Sequence, residues 1–275
     1  MDRRAFLLGA GGTASALAGC ADLGALGDDR SEERDLPERP ADPTPDSVAA
    51  YVAEYEEVRA HNYHVRRGAT EVTVDAVATF DHASGDDRFA TAQHAGTVYR
   101  EDDGDRSVGE LYGEPVPYLV APDRTLRLPV ERRRVGAGAS GGPPNEPTPP
   151  LGVRLCNVTD GPREFAVTVV RQSVAGGANA DDGATGPADE AITDESTGTV
   201  LSTTVALDPT SAVELLGVTD VRGGYRVTAR MENDGVTGQG RIEVGLPSAD
   251  RAPNVDVVVD EAGVSAWHLP SFDRI

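Results

Sequence analysis

The pattern in the sequence closest to a catalytic motif is a serine between glycines. Residues 138–142 read Gly-Ala-Ser-Gly-Gly, which formally matches the G-x-S-x-G pattern around a nucleophilic serine, here Ser140. That chemistry needs a strand before the serine and a helix after it, because the strained turn between them exposes the hydroxyl. The pentapeptide instead lies in a Gly/Pro-rich stretch. We therefore predict no catalytic residue and no enzymatic activity.

Two histidines, His61 and His64, lie one helical turn apart and are weak candidates for metal ligands. A third ligand would have to come from His82, His94 or a carboxylate, and nothing in the spacing selects one of them. Imidazoles near the C-terminus of a helix also interact favourably with the helix dipole. We favour this second interpretation, and the sequence predicts no metal and no other cofactor.

Two acidic runs, residues 101–105 and 181–183, contain the oxygen ligands that Ca²⁺ prefers. An EF-hand loop that started at Asp103 would need glycine at its sixth position, where the sequence has Val108. Acidic residues are frequent throughout the chain. We therefore favour solvated hairpin tips over specific calcium sites.

The sequence contains one N-glycosylation sequon, Asn157-Val158-Thr159, at the end of a predicted strand. Glycosylation of Asn157 and chance occurrence of the sequon are both left open. Cys156, next to it, lies in an apolar run, so a buried structural thiol is predicted there rather than a nucleophile.

Composition excludes several classes of protein. The 275 residues include 46 Asp and Glu against 25 Lys and Arg, for a net charge of -21, and all 25 basic residues are Arg. A surface this negative repels phosphate backbones, so no nucleic-acid partner is expected. Hydrophobic residues make up 39% and aromatic residues 5% of the chain, which argues against a protein with several membrane spans.

Residues 1–20 have the layout of an export signal, with a charged head, a short apolar run and small residues at the end. Arg3 and Arg4 are adjacent, and Phe6 and Leu7 follow after one residue. This arrangement resembles a twin-arginine export signal, the route taken by proteins that fold before they cross the membrane.

The signal ends in Leu17, Ala18, Gly19 and Cys20, which resemble the lipobox of exported lipoproteins. The resemblance implies that cleavage before Cys20 frees this residue for attachment of a lipid. A plain cleavable signal with an incidental cysteine and an uncleaved anchor are the alternatives.

The export signal, the lipobox, the acidic composition and the lack of Lys together resemble the exported lipoproteins of extremely halophilic archaea. This resemblance implies a protein held by its lipid at the outer face of the cytoplasmic membrane after twin-arginine export. It also implies that the acidic surface keeps the protein hydrated in concentrated salt, so the charge identifies an environment rather than a partner.

Two stretches divide the rest of the chain. Residues 21–46 contain four prolines among charged residues and predict a disordered tether, and residues 136–150 predict a Gly/Pro linker. Two segments of ordinary domain size remain, residues 47–135 and residues 151–275.

The segment 47–135 is predicted to be a small α+β domain. Apolar residues recur on one helical face from Val48 to Val58, after a Thr44-Pro45-Asp46 start that supplies a cap. Alternating patterns follow at 72–80 and 125–130, with less regular runs at 89–100 and 110–120. One helix on an antiparallel sheet of about four strands is expected.

The segment 151–275 contains eight short strand-like runs separated mostly by turn residues, which predicts a β-sandwich. Within it, Gly223-Gly224-Tyr225-Arg226-Val227 is similar to the tyrosine corner of immunoglobulin-like domains, although Val227 stands where those domains have cysteine. The resemblance implies an Ig-like or fibronectin-like sandwich without a disulfide. The fold class expected for the whole chain is mainly β.

The function expected from these features is a non-enzymatic role in adhesion, assembly or scaffolding at the cell surface. The expected partners are the membrane, through the lipid anchor, and other cell-surface proteins or glycans. The alternative is an exported module that binds a small ligand or a metal ion through the α+β domain.

Overall fold

A computed structural model describes residues 31–102, 104–136, 150–172, 198–233, 236–246 and 252–272. The protein is mainly β, as predicted, with one helix in the described ranges. The elements are α1 (Pro45–Val65), β1 (Glu71–Ser84), β2 (Asp87–Asp102), β3 (Asp105–Tyr112), β4 (Val116–Val120), β5 (Thr125–Arg127), β6 (Val130–Arg134), β7 (Leu151–Asn157), β8 (Arg163–Gln172), β9 (Thr199–Leu207), β10 (Ser211–Thr219), β11 (Gly223–Asn233), β12 (Val236–Leu246), β13 (Val255–Asp260) and β14 (Gly263–His268).

Helix α1 begins where the sequence predicts it and ends at Val65, one residue after His64. The Thr44 side chain accepts a hydrogen bond from the Ser47 amide, and Pro45 occupies the first helical turn, where no amide hydrogen is needed. Val48, Tyr51 and Val52 lie on the buried face. In the described ranges, no helix is both long enough and apolar enough to span a membrane.

The first sheet is antiparallel and has five strands in the order β1-β2-β4-β5, with β3 also paired to β2. Strand β2 is 16 residues long, so β1 fills one of its edges while β4 and β3 share the other edge end to end. Helix α1 packs on one face of this sheet, against a core that includes Ala90, Val116 and Tyr118.

Residues 31–43, which we call the N-terminal strap, correct the prediction of a disordered tether over 21–46. The strap runs alongside helix α1 and is hydrogen-bonded to it. The Arg34 amide donates to Asn62 Oδ1 at 2.8 Å, and Asn62 Nδ2 donates to the Arg34 carbonyl at 2.7 Å. The Ser31 amide donates to the Thr70 carbonyl at 2.9 Å. Composition suggested disorder because these partners lie elsewhere in the sequence.

Two further sheets face each other in the rest of the protein. One is mixed, with the order β14-β13-β7-β10-β6, and the other is antiparallel, with the order β12-β11-β8-β9. Their facing side chains form one core of buried aliphatic and aromatic residues, to which both sheets contribute. Within this core, Leu151, Val153 and Leu155 come from β7 and Phe165, Val167 and Val169 come from β8.

The middle sheet is buried on both faces. All seven residues of β7 are buried. Leu151, Val153 and Leu155 face the core between the two facing sheets, while Arg154 and Cys156 face the first sheet. Cys156 shares a third core with Phe89 and Leu119 of the first sheet. The described structure is therefore a stack of helix, sheet, sheet and sheet.

This stacking corrects the prediction of separate domains at 47–135 and 151–275. Strand β6, which lies in the first segment, pairs in parallel with β10 of the second segment. The two segments also share the core around Cys156. The sequence suggested independence because residues 136–150 have the composition of a linker, and a linker's composition does not show what its flanking segments contact.

Candidate functional site

Arg154 is a charged residue whose side chain has no solvent exposure. Its Nε and Nη2 atoms donate to the two oxygens of Asp256 at 2.9 and 2.8 Å, which is a bidentate pair. Nη2 also donates to Asp81 Oδ2 and Nη1 donates to Thr91 Oγ1, both at 2.8 Å. We call Arg154, Asp81, Thr91, Asp256 and His82 the Arg154 cluster.

The Arg154 cluster joins the two predicted segments. Asp81, His82 and Thr91 come from β1 and β2 of the first sheet, whereas Arg154 comes from β7 and Asp256 from β13 of the middle sheet. Carboxylates from both sheets thus neutralise the buried guanidinium of Arg154. If either sheet were removed, this guanidinium would lose one of its two carboxylate partners.

The charges of Asp256 and Arg154 stabilise each other. Burial by itself would raise the pKa of Asp256, but the charge of Arg154 and the hydrogen bonds from Arg154 and His82 outweigh burial and hold the pKa well below its usual range. Burial likewise opposes the charge on Arg154, but the two carboxylates raise its pKa. Burial, reinforced by Asp256, raises the pKa of the Cys156 thiol. Cys156 is free and buried as predicted, and it is not an activated nucleophile.

His82 is held by aromatic rings on both faces. Its ring stacks on Phe89 with centroids 4.6 Å apart and on Trp267 with centroids 4.9 Å apart. His82 Nε2 lies 2.8 Å from Asp256 Oδ2 and donates to it when protonated at that nitrogen. Because Phe89 lies in β2 and Trp267 in β14, the stack adds an apolar contact between the first and middle sheets.

A second buried carboxylate, Glu56, lies on helix α1 and is 1% exposed. Its oxygens accept from His94 Nδ1 at 2.8 Å, from Arg59 Nε and Arg127 Nε at 3.1 Å each, and from the Tyr118 hydroxyl. We call these five residues the Glu56 cluster. It fastens helix α1 to strands β2, β4 and β5.

The Glu56 cluster stabilises the packing of α1 on the first sheet and is not arranged for proton transfer. Burial would raise the pKa of Glu56, but the hydrogen bonds from His94 and Arg59 and the charge of Arg127 hold it well below its usual range. Burial and the Glu56 charge raise the pKa of Tyr118. A carboxylate that resists protonation is a poor general base at neutral pH.

His94 is the member of the Glu56 cluster closest to a catalytic arrangement. Glu56 accepts a hydrogen bond from one nitrogen of the His94 imidazole and so fixes the orientation of the ring. In enzymes with an activated nucleophile, a carboxylate often orients the catalytic base in the same way, so that nucleophile, base and carboxylate form a set. Gly113 contributes to this fit, because a Cβ atom there would lie 2.4 Å from the His94 ring. Among the described residues, however, no serine, threonine or cysteine is hydrogen-bonded to the His94 ring, so the set lacks its nucleophile.

The two histidines predicted as weak metal candidates have different partners. His61 is buried and its Nε2 donates to the Glu32 carbonyl of the N-terminal strap at 2.9 Å. His64 Nδ1 lies 3.5 Å from Arg100 Nη2, and partial burial together with the Arg100 charge lowers the pKa of His64. In the part of the chain that the structure describes, no three His, Cys, Asp or Glu side chains form a group able to hold a metal ion.

Asn157, the predicted glycosylation acceptor, is fully buried. Its Nδ2 donates to the carbonyls of Gly161 and Asp208 at 2.8 and 2.9 Å, and its Oδ1 accepts from the Thr159 amide at 3.0 Å. The side chain therefore closes a turn, and the folded protein does not present its nitrogen to an enzyme. Of the two interpretations left open, this burial favours chance occurrence of the sequon, because the sequon pattern carries no information on burial.

Several predicted residues lie outside the described ranges. They are the export signal with Arg3, Arg4, Phe6 and Leu7, the lipobox residues Leu17, Ala18 and Gly19 with the lipidation candidate Cys20, the linker serine Ser140 and the acidic run 181–183. The other acidic run lies at the β2–β3 hairpin, where Asp102 pairs with Asp105, and its described residues are exposed, as a solvated hairpin tip requires.

A surface cavity of about 840 Å³ lies between the N-terminal strap and the N-terminal half of α1. Tyr51 and Tyr55 of the helix line one side of the cavity, and Val120 and Thr125 of the first sheet line another. The volume falls within the range of roughly 300–1,000 Å³ that is common for ligand pockets. No member of the Arg154 cluster or the Glu56 cluster lines this cavity.

The sequence carried a signal for the Arg154 cluster that pattern analysis did not use. Arg154 interrupts the apolar run Leu-Gly-Val-Arg-Leu-Cys-Asn-Val, and Asp256 interrupts Val-Asp-Val-Val-Val. Opposite charges inside two apolar strands suggest strands buried on both faces that share an ion pair. Glu56 had no comparable signal, because acids are common on predicted helix surfaces of this chain.

We expect Arg154→Met to destabilise the protein by about 3–5 kcal/mol, because it leaves two buried carboxylates without their cation. Urea denaturation followed by circular dichroism gives the free energy of unfolding. Arg226→Met is the matched control, since its ion pair with Glu243 is largely exposed and is expected to change stability little. Equal losses in the two variants would contradict a stabilising role for the Arg154 cluster.

We expect Glu56→Gln to reduce stability by about 2 kcal/mol at pH 7, because charge-assisted hydrogen bonds become neutral ones. The folded-state pKa of Glu56 lies below its unfolded value, so its contribution is present above roughly pH 5 and is lost as the pH falls below about 4. The difference between wild type and variant should therefore shrink in denaturation curves measured at pH 3. Glu57→Gln, at a half-exposed ion pair with Arg34, is the control. A difference that is the same at both pH values would refute the assignment.

The chain was compared with known proteins by sequence and by structure. No family model, no curated protein and no solved structure matches it. Its function is therefore inferred from the residues and their geometry alone.

Proposed function

We propose that this chain is a lipid-anchored, non-enzymatic protein of the outer face of the cytoplasmic membrane, with a role in adhesion, assembly or scaffolding. The observation that carries the proposal is the placement of the buried ionisable groups. The carboxylates of Asp256 and Glu56 are paired with arginine and their pKa values are held below the usual range, and neither cluster lines the cavity. These groups stabilise the fold and are not poised for proton transfer.

The pairing of the strands supports an Ig-like arrangement in the second segment. In Ig-like sandwiches strands B and E are neighbours in one sheet, and strands C′, C, F and G are neighbours in the other. Strands β7 and β10 are antiparallel neighbours, and the facing sheet has the order β9-β8-β11-β12. Numbering β7 to β12 as B, C, C′, E, F and G reproduces the order of the facing sheet and the B–E pair of the middle sheet.

The tyrosine corner supports the same numbering. Tyr225, near the start of β11, is 1% exposed, and its hydroxyl donates to the Val221 carbonyl at 2.6 Å. A tyrosine at the start of strand F that bonds backbone a few residues upstream is the hallmark of the corner. The sheet edges differ from the Ig pattern, since β13 pairs in parallel with β7 and β6 pairs in parallel with β10.

The N-terminal strap supports a role close to the membrane. Ten residues, 21–30, separate the lipidation candidate Cys20 from Ser31, where the strap begins. Even fully extended, ten residues span at most about 35 Å. A lipid on Cys20 would therefore hold the folded body near the membrane surface, with the strap bonded along α1.

The alternative function, an exported binding module acting through the α+β segment, is favoured by one observation, the cavity between the N-terminal strap and α1. Its metal-binding version has less support, because His61 and His64 bond different groups in the described structure. A small organic ligand is the version that the geometry favours.

We expect Cys20→Ser to move the protein from the membrane fraction to the soluble fraction, because it removes the attachment point for lipid. Cys156→Ala is the matched control at the other cysteine of the chain, and it should leave the protein in the membrane fraction. Fractionation followed by immunoblotting measures both. Membrane retention of Cys20→Ser would contradict lipid anchoring.

Crosslinking in intact cells tests the surface role itself. Amine-directed reagents are unsuitable because the chain has no Lys, whereas its 46 carboxylates suit a carboxylate-directed reagent. Wild type should be recovered with specific surface proteins or glycoproteins, and Cys20→Ser should lose them. Recovery of the same set with both variants would count against a role that depends on the anchor.

A further inference from the structure

The cavity between the N-terminal strap and α1 has two walls of different chemistry. The helix contributes Tyr51 and Tyr55, which are one turn apart. The strap contributes Pro37, Pro40 and Pro43. The cavity is therefore lined by aromatic rings from the helix and by pyrrolidine rings from the strap.

The tyrosines are held in position by their neighbours. The Tyr51 hydroxyl lies 2.8 Å from Thr125 Oγ1, and the Tyr51 and Tyr55 ring centroids are 5.8 Å apart at an angle of 54°. Tyr55 also packs edge-on against Tyr118, with centroids 5.8 Å apart. Tyr118 is in turn bonded to Glu56. The Glu56 cluster thus supports the aromatic wall without entering the cavity.

The strap is fastened at both ends of the cavity wall. Near its start, Arg34 exchanges hydrogen bonds with Asn62 of α1. At its end, Arg88 Nε donates to the Pro43 carbonyl at 3.2 Å, and Arg88 Nη1 donates to the Gly85 carbonyl at 2.8 Å. A wall fixed at both ends is organised before a ligand arrives, which lowers the entropic cost of binding.

The charged groups that line the cavity balance each other. They are Arg39 and Arg88 against Glu38 and Asp86. In a chain with a net charge of -21, a cavity without net charge is a local exception. A phosphorylated ligand would need a net positive site, and an acyl chain would need an apolar lining without charged groups.

We propose that this cavity binds a neutral saccharide. A pyranose ring has apolar C–H faces that stack on aromatic and pyrrolidine rings, and hydroxyl groups at its edge that bond carboxylates and guanidinium groups. The cavity supplies all of these groups, and its volume admits more than one sugar ring. The proposal rests on the proposed surface function, for which it names glycans as the partner class.

The test is binding of the purified full chain to a printed panel of neutral and acidic glycans. The expected result is binding to at least one neutral glycan, followed by titration with that glycan to obtain its affinity. Tyr55→Ala should weaken the affinity at least tenfold, because it removes a stacking face, whereas Tyr55→Phe should retain most of it. Tyr112→Ala, at a tyrosine that is 74% exposed and outside the cavity, is the matched control and should bind as wild type does.

Three outcomes would overturn the proposal. They are no binding to any glycan, binding only to sulfated or phosphorylated glycans, and equal affinity in Tyr55→Ala and wild type when both are equally folded by circular dichroism. Repeating the titration with Cys20→Ser, alongside membrane fractionation, separates the two proposals. If the wild-type protein is anchored to the membrane but binds no glycan, the saccharide site alone is refuted. If the protein binds a glycan but is not anchored, the surface role alone is refuted.

Discussion

A guanidinium buried between two carboxylates is the constraint on which the architecture depends. A charge without solvent exposure is tolerated only when partners surround it, and Arg154 takes its partners from two different sheets. The first sheet supplies Asp81 and the middle sheet supplies Asp256. The relative position of these sheets is therefore specified by hydrogen-bond geometry as well as by apolar contact, because each N–H group of the guanidinium points in one fixed direction.

The choice of arginine follows from this geometry. A guanidinium presents several donors in one plane, so Arg154 bonds Asp256 with two nitrogens while its remaining donors reach Asp81 and Thr91. An ammonium group would not span these acceptors. The same logic applies to Glu56, whose carboxylate accepts from Arg59 and Arg127. In a chain whose basic residues are all arginine, the buried carboxylates of Glu56, Asp81 and Asp256 are paired with forked guanidinium donors.

The fold was predictable from the sequence to the level of its elements. Apolar periodicity and turn residues located the helix and nearly all the strands, and Tyr225, which the sequence singled out, donates its hydroxyl to the Val221 carbonyl. The stacking was not predictable, because Arg154 and Asp256 are 102 residues apart and their pairing has no local pattern. The strap was missed for a similar reason. His61 was considered as a metal ligand, and no local pattern marked it or Asn62 as a hydrogen-bond partner of residues 32 and 34. The cavity arises only when strap, helix and sheet are assembled, so no single segment could predict it.

The central claim is that the first sheet and the sandwich form one cooperative unit held by the Arg154 cluster. Two optical probes report different regions: the circular dichroism of α1, and the fluorescence of Trp267, the single tryptophan, which lies in β14 and stacks on His82 where the first and middle sheets meet. Urea denaturation followed by both probes tests the claim directly. Our account predicts coincident transitions with one midpoint. A helix signal that is lost at a different urea concentration from the Trp267 signal would contradict it.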